Sequence, residues 1–166
     1  MVDGFSGAGK TTLATELRRA DRSVTVQSIE AFYLGWDGLA AGPGRAYAQL
    51  VEPLARGEVP MVAPWDWRHD RVAPARRRVV SGLLVVEGVG AAARPLRDAA
   101  SLSVWVDAEP DERERRLAGR ADWADYRPRR AAFERQEQAL AAEEGTRDAV
   151  DVVLRRERGM WVRSGA

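Results

Sequence analysis

Two apolar periodicities alternate along the chain. Short runs rich in β-branched residues, Ser23 to Ile29, Leu83 to Val86, Leu102 to Val106 and Val150 to Leu154, predict strands. Leu83-Leu84-Val85-Val86 is apolar without interruption, the pattern of a strand buried on both faces of a parallel sheet. Between these runs the apolar residues recur at helical spacing. Helices are predicted from Thr12 to Arg19, from Arg45 to Arg56 with Gly57 as the stop, and from Ala91 to Ala99. Two more run from Pro110 to Leu117, with proline at a first helical position, and from Arg129 to Glu144, stopped by Gly145. Glu30 to Gly44 reads as a glycine-punctuated loop, and Val59 to Val62 as a short extended piece. Arg71 to Val80 reads as a loop or a helix broken at Pro74, and Arg155 to Ala166 as a polar tail. Strands alternating with helices argue for an α/β domain with a parallel sheet covered on both sides.

Length and charge narrow the class. At 166 residues the chain suits one domain spanning 1–166, and no repeat or internal linker divides it. The formal net charge of +1 gives no reason to expect a nucleic acid or a membrane as partner. With no cysteine, disulfides, zinc thiolates and cysteine nucleophiles are excluded. Neither a signal peptide nor a bilayer-length apolar run is present, so a cytoplasmic enzyme is the expectation.

The strongest chemical signal lies near the amino end. Gly4-Phe5-Ser6-Gly7-Ala8-Gly9-Lys10-Thr11 matches G-x-x-x-x-G-K-[ST], the phosphate-binding loop, at every constrained position. Gly4, Gly7 and Gly9 admit backbone angles closed to other residues, so the amides from Ser6 through Ala8 and on to Thr12 can face one concavity. The helix that opens at the loop adds the positive end of its dipole. Lys10 is the chain's only lysine, in a composition that otherwise uses arginine. A compact ammonium can reach between β- and γ-phosphates where a branched guanidinium would not fit. Thr11 offers a hydroxyl to Mg²⁺, and Thr12 is placed for the α-phosphate. Only Met1-Val2-Asp3 precede the loop, where a central strand of about five residues is expected. The first strand therefore reads as truncated: either the natural chain begins upstream of Met1, or part of that strand has been lost.

Other candidates gather at the predicted strand ends. Glu87 closes the apolar run before Gly88, at the sheet edge beside the loop, and can hold Mg²⁺ with Thr11. Asp3 at the end of strand one reads as mainly structural. Glu30 follows strand two and can orient an acceptor hydroxyl and take its proton. Arg113, Arg116 and Arg120 share one helical face, followed by a polar stretch, about 119–128, suited to a lid. Carried over a triphosphate, Arg116 and Arg120 can stabilise the transferring group, with Arg113 binding nucleotide. Trp65-Asp66-Trp67 supplies stacking rings and a hydroxyl-binding carboxylate, and Tyr33 and Trp36 can close the same acceptor pocket.

With these residues in view, the chain resembles the uridine kinase-like branch of the P-loop nucleoside and nucleotide kinases, particularly its small actinobacterial members. The resemblance rests on Asp3 to Ala14, on Phe32-Tyr33-Leu34-Gly35-Trp36-Asp37-Gly38-Leu39, on Trp65-Asp66-Trp67, on Val85-Val86-Glu87-Gly88-Val89-Gly90, and on Glu143-Glu144-Gly145-Thr146-Arg147. It implies a three-layer P-loop NTPase fold, with a five-stranded parallel sheet in the order 2-3-1-4-5, helices on both faces and a small arginine-bearing lid. It also implies that Glu30 stands where such enzymes carry the aspartate base of Asp-x-Phe-Tyr. ATP and Mg²⁺ are the expected cofactors. The expected reaction is transfer of the γ-phosphoryl group to a nucleoside- or nucleotide-like acceptor. A kinase for a sugar, an antibiotic or a vitamin precursor, and a nucleotide-binding module with little catalysis, are the alternatives.

Overall fold

Residues 1–164 are described by the computed structural model. From the amino end the chain runs β1 (Val2–Asp3), α1 (Lys10–Ala20), β2 (Thr25–Ser28), a 3-10 turn (Ile29–Phe32) and α2 (Gly42–Ala46). A π turn (Tyr47–Val51) leads into α3 (Glu52–Ala55), followed by the two-residue strands β3 (Met61–Val62), β4 (Trp65–Asp66), β5 (Arg71–Val72) and β6 (Arg76–Arg77). Next come β7 (Leu84–Glu87), β8 (Val104–Asp107), α4 (Pro110–Ala118), α5 (Trp123–Tyr126) and α6 (Arg130–Glu144). A short α7 (Thr146–Ala149) precedes the closing strands β9 (Val152–Glu157) and β10 (Met160–Arg163).

The main sheet has six strands in the order β10-β9-β8-β1-β7-β2, and it is mixed. Neighbours from β2 to β9 are parallel, while β10 pairs antiparallel with β9. The expected five-stranded, all-parallel sheet is corrected on both counts. Residues 155–163, expected as part of a polar tail, complete β9 and form β10; Gly165 and Ala166 lie outside the described residues. Gly159, with φ +85°, makes the tight turn that lets the hairpin close. β1 is short, yet it pairs with β7 on one side and β8 on the other.

Alternation along β7 shows how the sheet is covered. Val85 packs with Val2, Leu13, Ala14 and Val106 on one face, and Val86 with Ile29, Leu50, Leu96 and Phe133 on the other. Helix α1 thus covers one face, and the 42–55 helical segment with α6 covers the other. That two-sided burial is the physical reason for the unbroken apolar run.

Three local expectations change. The helix expected from Arg45 starts at Gly42, because Pro43 sits in its first turn where its missing N–H costs nothing. Ala91 to Ala99 forms turns and only a short 3-10 piece, Arg97–Ala99, rather than a helix. Arg71 to Val80 supplies β5 and β6, which pair with β4 and β3 as two small ribbons. Among the described residues, no helix is long and apolar enough to cross a membrane.

Candidate functional site

The phosphate loop is gripped from two sides. A side chain at Gly4 (φ +143°) would place its Cβ 2.3 Å from the Val106 carbonyl oxygen of β8, and one at Gly7 (φ +81°) 2.6 Å from the Arg113 carbonyl oxygen of α4. These glycines are demanded both by backbone angle and by the close approach of neighbours. Below the loop Asp3 is fully enclosed. Its Oδ1 accepts from Gly4 N at 2.6 Å and Gly90 N at 2.9 Å, and its Oδ2 from Ala92 N at 2.8 Å. Burial raises the Asp3 pKa, against the pull of these amides and of Lys10. With its acceptors so occupied, Asp3 ties the loop to the 88–92 turn and serves structure. Lys10 is buried, and its Nζ donates to Gly4 O at 2.8 Å and to Phe5 O at 3.0 Å, so the ammonium sits at the centre of the loop.

Glu87 ends β7 beside this loop. Thr11 Oγ1 donates to Glu87 Oε2 at 3.2 Å, which brings together the two side chains singled out for Mg²⁺. Burial pushes the Glu87 carboxyl above its ordinary range, while Lys10 and the Thr11 hydroxyl oppose that shift and Glu30 adds to it. Among the described residues there is no group of three His, Cys, Asp or Glu suited to hold a metal unaided. One carboxylate and one hydroxyl fit a hard ion that keeps waters and phosphate oxygens as its remaining ligands.

The arginine stripe does not act as a unit. Arg113 lies over the Phe5 ring, 5.1 Å from its centroid. Arg116 Nη1 donates to Ala8 O at 2.7 Å and Gly7 O at 3.2 Å, and Nη2 pairs with Glu112. Arg116 therefore braces the loop through its carbonyls and Arg113 through the Phe5 ring, and neither lines the cavity. Arg120 alone of the three borders the cavity; it forks onto Asp122 at 2.8 and 2.7 Å and lies over Tyr126. The 119–128 stretch, expected as a lid, carries α5 and buries its own Tyr126.

That cavity, about 570 Å³, opens next to the loop. Ser6, Glu30, Arg120 and Tyr33 border it, and Trp36, Trp67, Tyr126 and Phe133 make an aromatic wall. Trp36 meets Trp67 edge to face at 5.1 Å, and Gln136 Nε2 holds the Trp36 carbonyl at 2.9 Å. Tyr33 is buried, with its hydroxyl donating to Val89 O at 2.6 Å, so it presents ring rather than hydroxyl. Trp65 and Asp66 do not border the cavity. Asp66 instead accepts from the amides of Arg68 (3.1 Å) and His69 (3.2 Å) and meets His69 Nδ1 at 2.8 Å, which fixes the turn between β4 and β5. The hydrogen bond from His69 holds the Asp66 carboxyl below its usual range.

Sequence reasoning missed Arg68, Asp125, Tyr126, Arg129 and Phe133, all of which border the cavity. Arg129 even sits 5.0 Å over the Trp36 ring. It also missed Glu137, whose Oε2 accepts from Ser6 N at 2.9 Å. A faint sign was present: Glu137 lies four residues after Phe133 and three before Leu140, inside the apolar stripe of α6.

No family model matches the sequence, and no curated protein matches it. Solved structures do share its fold. One is described as a possible uridine kinase from Bacillus stearothermophilus, at 20% identity and a TM-score of 0.64, covering 92% of this chain and 85% of that one. Another, a candidate fructose transport system kinase from Silicibacter sp. TM1040, gives 21% identity and a TM-score of 0.57, covering 92% and 86%. The chain shares the α/β fold of these two structures over nine tenths of its length.

Proposed function

We propose that this protein is an ATP- and Mg²⁺-dependent phosphotransferase acting on a small, planar acceptor that carries a hydroxyl. The observation that carries the reading is adjacency: the Lys10 loop and the Thr11–Glu87 pair adjoin an aromatic cavity whose loop-side rim holds Glu30, Ser6 and Arg120. Lys10 and the loop amides beyond Ser6 hold the phosphates, and Thr11 with Glu87 would hold Mg²⁺, which would supply charge neutralisation on the phosphate oxygens. The acceptor oxygen attacks the γ-phosphorus as its bond to the β-phosphate oxygen breaks, releasing ADP. The acceptor proton passes to Glu30, whose carboxylate is exposed at the cavity. Arg120 offers its guanidinium to the transferring group, while Arg113 and Arg116 act indirectly by holding the loop. Trp36 and Trp67 suit a flat ring such as a nucleobase, which favours a nucleoside-like acceptor over a sugar.

An acceptor panel of nucleosides, nucleotides, sugars and aromatic alcohols, read by ADP release, tests this. The expected outcome is stimulation by planar hydroxyl compounds, lost in Trp36→Ala. Nucleotide binding with no stimulation by any acceptor would overturn the kinase reading and leave a nucleotide-binding module.

A further inference from the structure

Three carboxylates are buried among the described residues: Asp3, Glu87 and Glu137. The first is saturated by three amides and the second meets Thr11. Glu137, only 1% exposed, has no such explanation. Its Oε2 takes one hydrogen bond, from Ser6 N at 2.9 Å, and its Oε1 is buried with no partner. Burying a carboxylate on so little compensation is unfavourable, and leucine or methionine would fill the same place between Phe133 and Leu140 without that cost. Packing therefore does not account for the residue, whereas the bond it makes lies inside the phosphate loop.

Ser6 stands between Gly4 and Gly7, at the turn from which the amides of the loop follow, and it also borders the cavity. An amide directed at Glu137 is not free to swing, so the loop's leading turn is set before any phosphate arrives. Conformations fixed in advance need not be fixed on binding, and affinity rises accordingly. The same helix carries Phe133 on the cavity wall and Gln136 on the Trp36 carbonyl, so α6 anchors loop and pocket from one rigid element.

We propose that Glu137 is a positioning residue, holding the Ser6 amide so that the phosphate loop is preformed for a nucleoside triphosphate. The inference rests on the phosphate-loop reading above. Its test uses the full chain and two variants. Glu137→Gln keeps an acceptor for Ser6 N–H, and Glu137→Met has similar length and none. Amide hydrogen exchange at Ser6 and the affinity for Mg·ATP, titrated with a fluorescent ATP analogue, are measured for each. Slow exchange at Ser6 is expected in the wild type, with Glu137→Gln within about twofold of it in both measurements. In Glu137→Met, exchange at Ser6 should rise and ATP affinity fall by about tenfold each, the size of one lost charge-assisted hydrogen bond.

A role in stability alone would lower the melting temperature of Glu137→Met while leaving its ATP affinity unchanged, and that result overturns the proposal. So does a Glu137→Gln variant as impaired as Glu137→Met. If the wild type binds no ATP, the function proposed above fails; Ser6 exchange then decides the positioning role by itself. Rapid exchange at Ser6 in the wild type sinks it, and the same reading settles the matter if Glu137→Met does not fold.

Discussion

At the scale of single residues, the loop is held by bonds that point inward from all sides. Lys10 shows the most selective fit, because its Nζ sits between two loop carbonyls in a space closed by neighbours. Lys10→Arg keeps the charge but brings a planar fork where a point charge is needed. It should lose phosphoryl transfer by at least about 100-fold, the usual effect of removing one preorganised donor, and Lys10→Ala should lose no less. The coupled ADP assay checks this, and an arginine variant within twofold of wild type would refute the fit argument. Asp3 lies on the other side of the ledger, since its work is done before any substrate binds. Asp3→Ala leaves the buried amides of Gly4, Gly90 and Ala92 without acceptors. At about 1–3 kcal/mol for each unmatched group, unfolding in urea should show a loss of at least about 3 kcal/mol.

At the scale of elements, register and brace replace single contacts. β8 and β9 are joined at their starts by Ser103 and Asp151. Asp151 Oδ2 accepts from Ser103 N at 2.7 Å and from its Oγ at 2.6 Å. These two bonds, the hydroxyl first, hold the Asp151 carboxyl below its ordinary range. A carboxylate whose folded pKa is depressed contributes stability that is complete above its unfolded pKa, about 4, and is lost as pH falls through the lower folded value. Urea midpoints of the wild type and Asp151→Asn should therefore differ fully between about pH 5 and 7 and converge below about pH 4. A gap that stays constant down to about pH 2 would exclude this linkage. Helix α4 shows how an element redistributes what a face seems to group. Arg113 and Arg116 lie on α4 and reach Phe5 and the loop carbonyls, whereas Arg120 falls beyond the helix end at Ala118 and borders the cavity. Spacing predicts one face for all three; the end of the helix and the neighbours of each arginine separate their roles.

At the scale of the whole molecule, the carboxy-terminal hairpin closes onto the helix that carries Lys10. Trp161 Nε1 donates to Glu16 Oε2 at 2.6 Å, Arg156 reaches Glu16 Oε1 at 2.9 Å, and the Trp161 ring stands beside Gly9. Trp161→Ala removes a half-buried ring and this clasp. It should cost about 2 kcal/mol and lower the melting temperature by about 4–8 °C in calorimetry, with weaker ATP binding beside it. Unchanged melting would mean that the hairpin is dispensable to α1. The contrast between loop and hairpin marks what was legible in the chain itself. The phosphate-loop motif, the strand cores and the aromatic character of Trp36 and Trp67 could be read directly. Each depends on a contiguous motif or a local periodicity, and backbone geometry follows from neighbouring residues. Asp66 was misread because an acid between two tryptophans looks the same whether it faces a ligand or caps its own turn. The antiparallel β10, the division of the arginines, and the Glu137–Ser6 bond across 131 residues were decided by the tertiary structure alone. Contacts between distant segments leave no period in the sequence, so a buried glutamate or a paired tail acquires its meaning only when the sheet brings its partner to it.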